Sequence, residues 1–212
     1  MSNEFAIAEV ETGKLNALVK NAMRQTGVND PNEAVRLINS GERIITRRWC
    51  EYGGIIYFRV ASNGMSGPQW IKYFSEKGFR FGNYTESVLN SDDFKLTNGV
   101  VYEIAILKGG LFKNRDRTTW NIYAKADGYG YSKPKAEVAC LIRKEFTDKE
   151  IREMGLTWIL TMHEPIGDSS GDQGFLNVDS GDDGNKLSMC YGTEKSRWWD
   201  QGFGFAVVVS SK

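Results

Sequence analysis

His163 is the one histidine of the 212-residue chain, and it follows an apolar segment in the sequence His163-Glu164-Pro165. Histidine is the side chain best suited to proton transfer near neutral pH, but it needs partners. A zinc-protease helix would place a second histidine four residues further along, and a serine nucleophile would lie in a Gly-x-Ser-x-Gly turn; the sequence contains neither. We therefore interpret His163 as a hydrogen-bonded structural residue and expect the protein not to be an enzyme.

Aspartates between residues 168 and 183 alternate with glycine and serine. They are Asp168, Asp172, Asp179, Asp182 and Asp183. Carboxylate oxygens on flexible backbone are ligands that calcium prefers. The spacing departs from an EF-hand loop, because the sixth position from Asp168 is Gln173 and the twelfth from Asp179 is Cys190. Turn formation accounts for the same composition, so we expect no cofactor while leaving calcium binding open.

The three cysteines, Cys50, Cys140 and Cys190, are odd in number and widely spaced. This spacing fits neither a disulfide framework nor the paired cysteines of a zinc site. It is typical of a reducing compartment, and we expect synthesis in the cytoplasm. Cys140 lies in the apolar run 139–142 and is predicted to be a buried core residue.

The balance of charges excludes several classes of partner. Lysine plus arginine equals aspartate plus glutamate at 27 each, so no whole-chain field favours nucleic acid or acidic lipid. An apolar content of 41% is enough for a folded core. No apolar run approaches the roughly 20 residues that span a bilayer, and residues 1–11 lack a signal-peptide pattern. We predict a soluble protein without a membrane span, a signal peptide or a nucleic-acid partner.

Helical and strand patterns alternate along the chain. In the first half they predict a helix over 14–25, a capped helix from Asp30 to Ser40, a hairpin of 43–49 and 54–60 turning at 51–53, and a helix through Trp70 and Phe74 ending at Gly78. In the second half they predict strands over 100–107, 156–162, 186–191 and 203–210, and helices over 116–126, 134–144 and 147–155. Trp120, Tyr123 and Ala124 are expected on one side of the helix over 116–126. The polar stretch near 91–99 is predicted to separate two domains, and the remainder of 163–202 is predicted to be turns.

Trp198 and Trp199 are adjacent, just before the last predicted strand. Consecutive side chains on an extended chain point to opposite faces. We predict that Trp198 enters the core and that Trp199 is exposed; the alternative is that both pack in a small core under the final strand. An exposed aromatic residue beside serine, glycine, tyrosine and aspartate is typical of adaptable protein-binding loops.

Two short segments are similar to the formylglycine-generating-enzyme branch of C-type-lectin-like folds. Residues 131–140 resemble that branch's second-helix motif, and residues 199–206 resemble its terminal glycine-phenylalanine strand. The chain departs from the motif at Ser132-Lys133 and at Val138, where the family has tryptophan. The resemblance implies an α+β protein with a C-type-lectin-like ligand-binding domain over 99–212, preceded by a small α/β region over 1–98 whose function it does not assign.

This branch includes the variable proteins of diversity-generating retroelements, whose C-terminal segment is rewritten while the scaffold stays fixed. The resemblance implies a non-catalytic, hypervariable protein that binds an unidentified protein or other macromolecule, with its oligomeric state left open. The displayed side chains would be Ser188, Cys190, Tyr191, Thr193, Ser196, Trp199, Asp200 and Phe203. The anchoring side chains would be Trp198, Phe205, Val207 and Val209.

Two alternatives stay open at the level of the sequence. One is an oxidoreductase of the formylglycine-generating type with Cys190 as the metal-holding thiolate, although the family uses a pair of nearby cysteines and only Cys190 lies late in the chain. The other is a calcium-dependent sugar-binding module that uses Asp179, Asp182 or Asp183 as ligands and an exposed indole to stack on a pyranose.

Overall fold

The structure is a computed structural model and describes residues 23, 30–40, 48–181, 186–192 and 199–210. Contacts divide the chain into two units, Met1–Arg47 and Arg48–Lys212. In the first unit, helix α1 spans Pro31–Asn39. The Asp30 carboxylate accepts a hydrogen bond of 2.8 Å from the backbone N–H of Asn32, which confirms the predicted cap. The helix predicted over 14–25 lies outside the described residues except for Met23, which is helical.

The second unit is a mixed α and β structure built on a large, mostly antiparallel sheet. Its helices are α2 (Gly67–Glu76), α3 (Asn83–Leu89), α4 (Thr119–Gly128), α5 (Glu137–Glu145) and α6 (Asp148–Glu153), with 3-10 turns at Gly109–Leu111 and Asn114–Asp116. Its strands are β1 (Trp49–Tyr52), β2 (Ile55–Asn63), β3 (Asn98–Lys108), β4 (Tyr131–Ser132), β5 (Trp158–Thr161), β6 (Ile166–Gly167), β7 (Gln173–Asp179), β8 (Lys186–Tyr191) and β9 (Phe203–Val209). The sheet order is β1-β2-β3-β9-β5-β7-β6, with β4 paired to β9 and β8 paired to β7.

The predicted domain boundary between residues 98 and 99 falls inside β3. β2 and β3 are antiparallel neighbours with continuous pairing from Ile55–Leu107 to Ala61–Val101. The polar stretch 91–97 and the start of β3 therefore lie inside one compact unit, and this unit starts at Arg48. The hairpin turn also differs from the prediction. It consists of Gly53 and Gly54, with φ of 59° and 78°, so Glu51 and Tyr52 belong to β1.

The closing strand β9 pairs with β3. The sequence predicts that its valine-rich C-terminal segment packs in the interior beside the strand that begins at Val100, and this prediction is confirmed. The pairing is antiparallel and runs from Ile104–Val208 to Lys108–Gly204. On its other side β9 pairs in parallel with β5. Gly204 permits this close packing, because a Cβ there would lie 2.4 Å from Cγ2 of Ile106. Phe205 and Val207 are buried, which confirms their anchoring positions, while Val209 is half-buried.

The two faces of the sheet are covered differently, and we name them for the helices that cover them. The four-helix face packs against α2, α3, α5 and α6 through a large cluster that contains Ile106, Ile159 and Trp70. The one-helix face packs against α4 through a smaller cluster that contains Leu107, Phe175 and Phe205. The inward side of α4 is Ile122, Tyr123 and Ala126, so the prediction that Trp120 and Ala124 share the side of Tyr123 is wrong: both are exposed.

The region between β5 and β9 is more regular than predicted. The predicted turns and the one predicted strand at 186–191 agree with the structure only in part, since that strand is confirmed as β8. A further strand, β7, was not predicted, and its residues from Gly174 to Val178 are buried. β7 lies between β5 on one side and β8 on the other, and this position buries it in spite of its polar residues.

Candidate binding surface

Four strands begin or end at the same end of the sheet, and their terminal residues form one row. Phe203 of β9 pairs with Trp158 of β5, Trp158 pairs with Asp179 of β7, and Asp179 pairs with Lys186 of β8. Directly opposed residues share a face of a sheet. We call these four residues the terminal rung. All four are half-buried, so this row borders the solvent on the one-helix face.

The next rows toward the interior bring two predicted site residues to the same face. Ser188 lies opposite Asn177, and its hydroxyl donates a hydrogen bond of 3.0 Å to the Asn177 side-chain oxygen. Cys190 lies opposite Phe175 and packs, half-buried, against the core of the one-helix face. The one-helix face therefore carries three of the predicted site residues, Ser188, Cys190 and Phe203. They can contribute to one surface.

Asp200 is exposed on a tight turn that leads into β9. Its carboxylate accepts a hydrogen bond of 2.8 Å from the N–H of Gly202, and its carbonyl accepts one of 3.3 Å from Phe203. The turn packs closely on the first 3-10 turn, because a Cβ on Gly109 would lie 2.6 Å from the carbonyl oxygen of Gln201. Asp200 is thus fixed beside the terminal rung, as a predicted site residue should be.

The prediction that Trp199 is exposed is wrong: the side chain is 1% exposed. Its indole N–H donates a hydrogen bond of 3.1 Å to the Thr119 hydroxyl, and its ring contacts Phe175 and Phe203. Its backbone N–H donates to the carbonyl of Arg117 at 2.8 Å, and the Arg117 side chain donates back to the carbonyl of Trp199 at 3.0 Å. Trp199 anchors the segment before β9. The sequence pattern does not reveal this environment, because the partners of Trp199 are residues 117 and 119, far away along the chain.

Tyr191 belongs to the opposite face of the sheet. It follows Cys190 on β8, and its ring packs edge-on against Tyr84 of α3 with centroids 5.5 Å apart. Its hydroxyl donates a hydrogen bond of 3.1 Å to the Asp168 carboxylate. Burial and this hydrogen bond raise the pKa of the Tyr191 hydroxyl. Tyr191 is half-buried, so it is accessible but does not share a surface with Ser188 and Cys190.

Three further predictions fall on residues outside the described part of the chain. They concern Thr193 and Ser196 as displayed residues and Trp198 as an anchor.

The aspartates on either side of β7 form turns. The Asp168 carboxylate accepts hydrogen bonds from the N–H groups of Ser170 and Asp172, at 2.7 and 3.1 Å. Asp179 accepts one of 2.8 Å from Gly181. Both are turn contacts that aspartate favours. Within the described ranges no group of three or more His, Cys, Asp or Glu side chains is arranged to hold a metal ion, and Asp182 and Asp183 lie outside those ranges.

His163 is a buried residue with both ring nitrogens in hydrogen bonds. Nε2 accepts a bond of 2.9 Å from the backbone N–H of Leu176, so Nδ1 carries the proton and donates to the carbonyl of Glu164 at 2.5 Å. Burial lowers the pKa of His163 to about 4. This arrangement confirms the structural interpretation of His163.

The three cysteines differ in burial and form no disulfide. Cys140 is completely buried in α5, as predicted, and burial raises the pKa of its thiol. Cys50 is exposed on β1, and Cys190 is half-buried on β8.

Buried charges lie on the four-helix face. The Arg143 guanidinium is 2% exposed and donates hydrogen bonds of 2.5 Å to the Asp148 carboxylate and to the carbonyl of Phe146. Burial lowers the pKa of Arg143. The Glu137 carboxylate is 1% exposed and accepts hydrogen bonds from the hydroxyls of Thr97 and Tyr102, at 2.5 and 2.8 Å. These hydrogen bonds connect α5 to the start of α6, to the loop before β3 and to β3 itself.

Sequence reasoning missed three members of the surface, Trp158, Asp179 and Lys186. The sequence predicts Trp158 inside a buried strand and Asp179 as a possible calcium ligand. It predicts Lys186 only as the start of a strand, with no role in binding. Each residue is the first or last of its strand. Strand ends carry a weak sequence signal, and the row that they form depends on pairing between distant segments.

Comparison with known proteins gives no match: no family model fits the chain, and no curated protein or solved structure is significantly similar to it. The likeness to C-type-lectin-like proteins therefore stays a prediction. Among the described residues, no helix has the length and apolar character that crossing a bilayer requires.

Proposed function

We propose that this chain is a non-catalytic binding protein of the kind that diversity-generating retroelements vary, and that its C-terminal surface recognises a protein or other macromolecule. One observation carries the proposal. Within a few residues of sequence, side chains that hold the fold alternate with side chains that face solvent. Trp199 and Phe205 are buried, whereas Asp200 is exposed and Phe203 is half-buried. Such a segment can change its surface residues while its backbone stays fixed.

The topology supports the proposed C-type-lectin-like fold of the C-terminal part. Helices α4 and α5 lie between the opening strand β3 and the inner strand β5, and the closing strand β9 returns to pair with both strands. The motif-like segment 131–140 leads into α5, and the glycine-phenylalanine segment forms the start of β9. The β1–β2 hairpin and the α2–α3 pair would then be additions to the common core.

The surface of the proposed site is suited to a macromolecule. The one-helix face provides small polar and aromatic groups from Ser188, Cys190 and Phe203, and Asp200 adds an acidic group on the exposed turn before β9. Half-buried aromatic rings in a rigid setting are the usual anchors of protein interfaces, and small polar residues supply adaptable contacts. Tyr191 would contribute at the neighbouring edge of β8, beside Tyr84.

The genomic DNA around the coding sequence provides the test. We expect a near-copy of the segment that encodes residues 188–203, differing from it at positions where the copy has adenine. The codons of Ser188, Cys190, Tyr191, Asp200 and Phe203 should carry such differences, whereas those of Trp199, Phe205 and Val207 should be identical in both copies. Absence of a near-copy, or differences concentrated in the buried residues, would contradict the proposed function.

A further inference from the structure

Helix α4 covers the one-helix face with its inward side, and its outward side is open to solvent. Four exposed residues form this outward side: Trp120, Ala124, Asp127 and Gly128. Trp120, Ala124 and Gly128 follow one another in steps of four, so they form one stripe along the helix. The stripe carries an indole that is 61% exposed at one end, a methyl group in the middle and no side chain at the other end. A Cβ on Gly128 would meet no atom within 4 Å, so the space over this end is open.

We infer that the outward side of α4 packs against the same side of α4 in a second copy of this chain, with the two helices antiparallel. In a two-fold pair, each contact between one residue and another occurs twice. A two-fold axis at Ala124 brings Trp120 of one copy beside Gly128 of the second copy, because both residues are four positions away from Ala124. Each indole then fills the open space over the glycine of the other copy.

The residues around Gly128 form a suitable receptor for an indole. A side chain of one helix packs into a hole between residues of the facing helix that are three and four positions apart. Ala124, Asp127 and Gly128 have this spacing, and the alanine and the glycine leave room for a large ring. The indole N–H needs an acceptor when the ring is buried, and the exposed Asp127 carboxylate provides one. Because α4 carries both the ring and its receptor, the stripe is complementary to itself, which favours a second copy as the occupant.

The charges around α4 favour the antiparallel arrangement. Lys113, Arg115 and Asp116 are exposed just before the helix and have a net positive charge, whereas Asp127 is exposed at its end. Lys125, near the same end, is half-buried and lies over two aromatic rings of its own copy. Antiparallel packing brings the positive segment of each copy toward Asp127 of the other, and it also places opposite ends of the two helix dipoles together.

The size of the contact indicates a weak dimer. Helix α4 has ten residues and is therefore about 15 Å long. A tryptophan side chain buries about 150 to 250 Å², and the pair contains two of them. With the surrounding surface of α4, the buried area stays below the roughly 1,200 Å² that is usual for stable complexes. We therefore expect a dissociation constant on the order of 10 to 100 µM.

Sedimentation equilibrium of the full chain, from about 5 to 500 µM, measures the association. We expect the parent protein to pass from monomer to dimer over this range. Trp120→Ala removes the ring and Gly128→Leu fills its receptor, so each variant should weaken the dimer at least about tenfold. Tyr52→Ala, at a side chain that is 82% exposed on β1, and Gly110→Leu, at an exposed glycine where a Cβ also meets no atom within 4 Å, are the matched controls and should dimerise like the parent.

Mixing the two weakened variants tests the register of the pair. In a dimer of Trp120→Ala with Gly128→Leu, one end keeps the contact of Trp120 with Gly128, and at the other end the new leucine occupies the space that the new alanine leaves. We therefore expect the mixture to dimerise more tightly than either variant alone. A merely structural effect of the substitutions would not produce this recovery. Circular dichroism of dilute samples checks that each variant is folded.

Three results would overturn the inference. They are a parent protein that is monomeric at about 500 µM, a dimer that both substitutions leave intact, and a mixture of the two variants that stays monomeric. The first result would mean that this side of α4 has a different occupant or none. The inference does not depend on the proposed function, which the genomic near-copy tests separately.

Discussion

The two faces of the sheet differ in how completely their side chains are buried. The four-helix face is closed by α2, α3, α5 and α6 and contains the larger cluster of buried side chains. It also contains the buried charges of Arg143 and Glu137 with their hydrogen-bond partners. The one-helix face is covered by α4 and by the anchored Trp199, and it borders the solvent at the terminal rung.

This difference predicts where substitutions are tolerated. On the four-helix face a changed side chain disturbs several elements at once, because helices and strands share its contacts. At the edge of the one-helix face, a changed side chain loses few partners and exposes little additional surface. The order of expected effects therefore runs from Arg143, through Trp199 and His163, to Asp200.

The largest effect is expected for Arg143→Ala. The substitution removes an ion pair with Asp148 and the hydrogen bonds that Arg143 donates to the carbonyls of Phe146 and Asp179. It also leaves a cavity, so we expect a loss of about 5 kcal/mol in the free energy of unfolding. Urea denaturation measures it. The control is Lys144→Ala on the same helix, an exposed position where the change should stay within about 0.5 kcal/mol. A similar loss in both variants would contradict the importance of the buried charge.

Trp199→Ala should destabilise the protein by about 3 to 4 kcal/mol, because a large buried ring and its hydrogen bond to Thr119 are lost. The matched control is Trp120→Ala, which removes an indole that is 61% exposed. Thermal unfolding of both variants makes the comparison. If Trp120→Ala proved the more damaging substitution, Trp199 would not be the anchor of the closing segment.

Acid should weaken the fold through His163. Burial lowers the pKa of His163 to about 4 in the folded protein, whereas an unfolded histidine has a pKa of about 6.5. The unfolded state therefore binds the proton first as the pH falls. The stability contributed by the neutral ring is fully present above pH 6.5 and is lost as the pH falls through about 4, with a total near 3 kcal/mol. Denaturation at several pH values, with His163→Asn as the comparison, should show a smaller pH dependence in the variant.

The smallest effect on stability is expected for Asp200→Asn. Asp200 is exposed, and asparagine can accept the same hydrogen bond from Gly202. We expect a change within about 0.5 kcal/mol in the free energy of unfolding. A loss as large as that of Trp199→Ala would mean that Asp200 holds the fold and is not free to vary.

Local signals in the sequence are sufficient to predict several helices and strands. The capping box of Thr147 and Glu150 starts α6, and Gly155, with φ of 77°, follows its end, because these contacts lie within one turn of helix. The strand over 186–191 is likewise predicted from the sequence and is confirmed as β8. The pairing of β9 with β3 was expected from the apolar character of both segments and is confirmed.

Contacts between distant segments account for the errors. The environment of Trp199 is set by Arg117 and Thr119, and Arg117 is 82 residues away in the sequence. The predicted domain boundary lies at a polar stretch that is typical of a linker, but this stretch leads from α3 into β3, and β3 pairs with β2 in the same unit. β7 was missed because Gly174 and Asn177 interrupt its apolar pattern. Asn177 is buried there with the Ser188 hydroxyl as its partner.

The central claim is that the closing segment combines a fixed anchor with an exchangeable surface. Two libraries of the full chain test it most directly, one randomised at Ser188, Asp200 and Phe203 and one randomised at Arg117, Thr119 and Trp199. The measurement is the fraction of members of each library that unfold cooperatively on heating. We predict that most members of the surface library fold and that few members of the anchor library do. Equal fractions, or the reverse order, would contradict the account.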